Sequence, residues 1–191
     1  MPNTIFTNYN RRILHLLCIA FVVNVAIVLN PTTVMAKFDP MSFFEHNTTF
    51  FSDYKTFQPQ WLAVEDQISN IKDEYELVDW AAIRNNAKEV VVKHENLMVK
   101  LARDCRSARS KLPPAEADQA LHAIEVVLEH IDSIGHVVLK LYEISEKLYD
   151  KTLDPYSYTM SDYNSDKKHF KKLNEVFKEK GKALNQLFYG K

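Results

Sequence analysis

The stretch PAEADQALHAIEVVLEHIDSIGHVVLKLYEISEKLYDKTL, residues 114–153, decides the fold. After Pro114 it holds no proline, and its apolar positions recur at helical spacing. One seam runs Leu121, Ile124, Leu128, Ile131, Gly135, Val138, Tyr142, and a second beside it runs Val127, Ile134, Leu141, Ile144, Leu148. At ~1.5 Å per residue the helix would be about 60 Å long. An apolar arc that wide needs neighbours on two sides, which places the helix at the centre of a bundle. Its other face, His122, Glu125, Glu129, His136, Lys140, Glu143 and Lys147, reads as a solvated stripe of ordinary i to i+3 and i+4 pairs.

The neighbours can be read outward from it. Pro113-Pro114 ends a preceding helix whose seam is Trp80, Ile83, Ala87, Val90, His94, Leu97, Leu101, Cys105, Ala108 and Leu112, with Asp79 as its expected N-cap. Before it, positions 43, 47, 50, 54, 57, 61, 64, 68, 71, 75 and 78 read Phe, Asn, Phe, Tyr, Phe, Trp, Val, Ile, Ile, Tyr, Val, a heptad seam that only Asn47 interrupts. Pro59 sits inside that seam, so the expectation is a first helix broken or kinked there, with pieces near 41–56 and 59–77. Asn47-Thr48-Thr49 fits the glycan acceptor pattern, but on a packed helix face we read it as chance. On the other side, Asp154-Pro155 ends the central helix. A last helix follows, capped by Ser161 or Asp162 and carrying the seam Phe170, Leu173, Phe177, Gly181, Leu184, Phe188. No segment alternates with period two. The fold class is all-α: an elongated antiparallel bundle of about four long helices. In an antiparallel hairpin of the last two, Gly135 and Gly181 come to the same height, and we expect them to let the backbones approach.

Residues 1–36 stand apart in composition. They carry Arg11 and Arg12 but no acid, then the apolar run Ile13–Leu29, then Val34 and Ala36 at the −3 and −1 positions of a cleavage site. That order is a secretory signal peptide, leaving a single domain over 37–191 that is secreted or periplasmic. The alternative is an anchor retained through residues 13–29, a run near the lower limit for a span. Removal of Cys18 would leave Cys105 alone on an apolar stripe, a small buried hydrophobe with no disulfide available within the chain.

The whole chain has 24 basic and 25 acidic residues. Without Arg11 and Arg12 the balance is −3, spread unevenly: residues 167–191 hold eight lysines and two glutamates, net +6, so residues 37–166 carry −9. Lys167, Lys168, Lys171 and Lys172 crowd the first half of the last helix, where its dipole disfavours cations. Such a pattern is met by the bundle's own acids, by an anionic membrane surface, or by an acidic protein partner. A nucleic-acid partner is not expected for an exported chain of negative net charge. The second candidate surface is aromatic: Phe44 and Phe51 lie one step off the seam. Burial is their default, and exposure would make them a docking or self-association stripe.

Motifs for chemistry are missing. Three glycines, at 135, 181 and 190, cannot build a phosphate loop or a nucleophile elbow. No histidine follows a glutamate by three residues, and no Cys-x-x-Cys-His occurs. His94 interrupts an apolar seam and is the one candidate for a haem or small-ligand site, against the simpler reading of a core histidine with one hydrogen bond. No metal or cofactor is expected. The sequence therefore reads as an exported, non-enzymatic bundle acting through macromolecular interaction, as an adaptor, an immunity or inhibitor protein or an envelope-assembly component. A small-ligand or haem carrier is the alternative.

Overall fold

The computed structural model describes residues 38–69 and 78–190. The expected signal peptide over 1–36, the expected cleavage site before Lys37, and Ile71 and Tyr75 of the first seam lie outside the described residues. Five helices follow in order: α1 Pro40–Asn47, α2 Phe50–Ser69, α3 Trp80–Arg109, α4 Pro114–Leu153 and α5 Met160–Tyr189. Among the described residues there is no strand, and no helix is long and apolar enough to cross a membrane.

Cross-helix contacts fix the directions. His94 meets Ile131 while Arg109 reaches Ala117, so α3 and α4 are antiparallel. Lys140 meets Asp166 while Lys180 meets Glu129, so α5 returns antiparallel along α4. Asp53 pairs with Lys100 and Phe57 lies against His94, which sets α2 antiparallel to α3. The result is an up-down-up-down bundle capped by α1. Helix α4 is its centre as the double seam requires: Val127, Ile131, Ile134, Val137, Val138 and Leu141 are all essentially inaccessible.

The first seam folds, but its break is displaced. Helix α2 runs through Pro59, and the chain interrupts at Thr48-Thr49 instead. The Thr48 hydroxyl donates to the Phe44 carbonyl at 2.8 Å, closing α1, and accepts from the Phe50 amide at 3.2 Å, opening α2. A threonine offering both bonds competes with the helical ladder more effectively than proline breaks it. Pro59 is exposed, and so is Lys55, whose carbonyl loses its helical donor. The buried row Phe57, Trp61, Val64, Ile68 then holds the helix on its inner side. Asn47, expected on a packed face, is exposed at the end of α1, and its side-chain amide bonds the Phe43 carbonyl.

Asp79 caps α3, accepting from the Ala82 amide at 2.9 Å, and every seam position from Trp80 to Ala108 is buried. Cys105 is a buried free thiol whose pKa is pushed up to about 12 by burial and by the nearby Asp104 charge. It is an inert hydrophobe.

The two helical glycines do not meet each other. A Cβ on Gly135 would stand 2.4 Å from His94 Cε1, and one on Gly181 would touch only His130, at 3.6 Å. Each glycine admits a histidine ring. The expectation of a glycine pair is therefore replaced by two glycine–histidine contacts.

Candidate interaction surface

Helix α5 is fastened at both ends and loosely covered between. Its start is a capping box in which Thr159 is the N-cap, ahead of the expected Ser161 or Asp162, and Asp162 answers from the third position. One turn on, buried Asp166 accepts from Lys140 at 2.7 Å, from Lys147 at 2.7 Å and from the Tyr158 hydroxyl at 2.8 Å. Burial works to raise the Asp166 pKa, but these three donors outweigh it and hold the carboxyl at about 2. Burial likewise opposes the Lys140 charge, and bonds to Asp166 and Glu143 prevail, so its pKa is raised. Lys140, expected in the solvated stripe, is instead 93 % buried (7 % exposed), because the stripe passes beneath α5 there.

At the far end, Phe188 packs against Phe44 and Phe51 at 5.7 and 5.3 Å between ring centroids. Between the ends, Phe177 stacks on the His130 ring at 5.3 Å and meets Trp61 edge-on at 5.6 Å. His130 Nε2 lies 3.3 Å from the Tyr54 hydroxyl, while its Nδ1 and the Trp61 indole nitrogen are buried without hydrogen-bond partners. Burial pushes the His130 pKa down to about 4.

Despite these anchors, α5 buries only Asp166 fully, and Phe170, Leu173, Phe177, Leu184 and Phe188 are all half-exposed. Helix α2 touches α5 through side chains: Tyr163 donates to the Ile68 carbonyl at 3.3 Å and Asn174 to Glu65 at 3.1 Å. Where α2 ends, a groove of about 410 Å³ lies along α5, with Ile68 and Ser69 of α2 and Leu141 and Ile144 of α4 on its other sides. Ile68, Leu141, Ile144, Tyr163 and Phe170 form its apolar lining, and Lys167, Lys168, Lys171 and Lys178 stand around it, with Glu175 as the one acid.

Among the described residues no ion pair forms at Lys167, Lys168, Lys171, Lys172 or Lys178, whereas Lys180 pairs with Glu129. Lys167 only approaches the Tyr163 ring, at 5.9 Å. Comparison with family models, curated proteins and solved structures finds no match. The groove and its charges carry the functional reading on their own.

The sequence candidates fare unequally. Lys167, Lys168 and Lys171 come together on the groove, while Lys172 is exposed beside it. Phe44 of α1 is fully buried and Phe51 of α2 half-buried, both against Phe188, so the aromatic stripe is a seal between α1, α2 and α5 and offers no free docking surface. The reason is that α5 ends over it. His94 donates from Nε2 to the Ile131 carbonyl at 2.7 Å in the notch left by Gly135, and burial lowers its pKa, so the ring is neutral and engaged. No group of three or more potential ligands that could hold a metal occurs among the described residues. Sequence reading missed Lys178, Tyr163 and Phe170. Lys167, Lys171 and Lys178 fall at i, i+4 and i+11, one stripe of a helix, and that spacing was the available signal.

Proposed function

We propose that this chain is an exported, non-enzymatic helical bundle that works by binding an acidic protein partner on the lysine face of α5. The observation that carries the reading is the set Lys167, Lys168, Lys171 and Lys172, exposed side by side on α5 and without an ion pair among the described residues. Unpaired cations on a half-covered helix steer an anionic partner and set its orientation. Export rests on the leader-like order of residues 1–36, and the absence of catalytic motifs supports a binding role. An adaptor, an immunity or inhibitor protein and an envelope-assembly component all fit that chemistry. The groove beside the lysines favours a second reading, a small-ligand carrier, without haem, because His94 Nε2 is engaged by Ile131.

The test is affinity capture from the native envelope with the wild-type protein and with a K167E/K168E/K171E/K172E variant of unchanged helicity. Specific capture that is lost in the variant and weakened by salt is the expected result. A partner retained equally by the variant would refute the lysine face.

A further inference from the structure

We infer that the groove along α5, where α2 ends beside it, is a binding site for a free, single-chain anionic amphiphile, its tail against Tyr163 and Phe170 and its head held by Lys167 and Lys171. This goes beyond the partner-binding reading and needs no second protein.

Size comes first. About 410 Å³ falls in the range of small-ligand sites, roughly 300–1,000 Å³. The lining is the second point: it joins the aliphatic and aromatic residues Ile68, Leu141, Ile144, Tyr163 and Phe170 to the four lysines Lys167, Lys168, Lys171 and Lys178, whose long apolar stems can add to the apolar surface. A ligand matching that layout is apolar along its length and anionic at one end.

Charge is third. Among the described residues no ion pair forms at the four rim lysines, and Glu175 is the one acid among the lining residues. A neutral chain gains only the tail contacts, and a cationic chain meets the rim as a like charge. Finally, the walls are held in place. The Tyr163–Ile68 and Asn174–Glu65 bonds tie α5 to α2, and the Asp166 clamp fixes the start of α5 on α4, so a ligand would enter a largely formed site.

The experiment is calorimetric titration of the purified protein with dodecanoate below its micelle concentration, beside dodecylammonium and dodecyl maltoside as chains of the same length with other heads. Saturable 1:1 binding of dodecanoate, with the other two at least about tenfold weaker, is expected. K167E/K171E, shown by circular dichroism to be folded, should weaken dodecanoate by about tenfold or more. Ser69 is exposed on the groove wall, so S69W fills the space without entering the core and should abolish binding. Equal binding of all three chains, or full affinity in both variants, would overturn the inference. So would binding to anionic phospholipid vesicles without binding of dodecanoate, which would assign the lysines to a bilayer. Absence of binding by a protein that is dimeric in solution would assign the groove to a second copy and overturn it equally. Loss of partner capture with dodecanoate binding intact would defeat the partner reading alone.

Discussion

His130 makes the stability of this bundle depend on pH below neutrality, in a direction and amount that can be worked out. Its ring lies between Tyr54 of α2 and Phe177 and Gly181 of α5, and burial alone pushes its pKa to about 4. The unfolded chain binds a proton at about 6.5. Between those values the unfolded state takes up a proton that the folded state refuses, so stability is complete above about pH 6.5 and falls as pH falls toward 4. At ~1.36 kcal/mol per unit, the loss from this one group is about 2 kcal/mol at pH 5 and about 3 kcal/mol at pH 4. For a domain of this size, about 2 kcal/mol is roughly 4–8 °C in Tm. The assay is thermal unfolding at pH 7 and pH 5 for the wild type and for His130→Phe, which keeps an aromatic ring against Phe177 and removes the titration. The wild type should lose about 2 kcal/mol more than the variant over that interval. Parallel losses in the two proteins would refute the reasoning. His94, whose pKa is also lowered by burial, acts in the same direction and stays present in both.

Four further outcomes follow from individual contacts. Gly135→Ala places its methyl 2.4 Å from His94 Cε1, so the ring must leave its bond to Ile131; a net loss of about 1–3 kcal/mol in chemical denaturation is expected despite the better helix propensity of alanine. Gly181→Ala meets only ordinary contact with His130 and should stabilise by up to about 1 kcal/mol, so the two glycine variants should move in opposite directions. Asp166→Ala leaves buried Lys140 facing Glu143 alone and should cost about 3–5 kcal/mol, read from the urea midpoint. Cys105 should resist a thiol reagent in the native protein at pH 8 and react at once in denaturant, since its buried thiol ionises only near pH 12.

The seam of α3 was legible in the sequence down to its burial, and so was the central place of α4. Every position from Trp80 to Ala108 on the α3 seam is inside, and α4 takes the central place its double seam requires. What escaped were features set by more than one helix. Thr48 ends α1 by bonding in both directions, a local competition that a heptad count does not register beside a conspicuous Pro59. Lys140 and Asp166 look like surface residues on their own helices and become a buried pair only because α5 crosses above α4 at that height. His130 lies off both apolar seams of α4, yet Gly181 and Phe177 close over it. Of the candidate surfaces, the lysine face was readable from the clustering of Lys167, Lys168, Lys171 and Lys172. The groove beside it was not, since residues of α2, α4 and α5 line it together.

The central claim is that the lysine face of α5 is where this protein meets its partner. A photo-crosslinking residue placed at Lys172 and, as a control, at Val99, an exposed position on α3, tests it in the native envelope. The account predicts a discrete adduct from position 172 that is absent from position 99 and lost when Lys167, Lys168 and Lys171 are reversed in charge. An adduct from position 99 alone would contradict it.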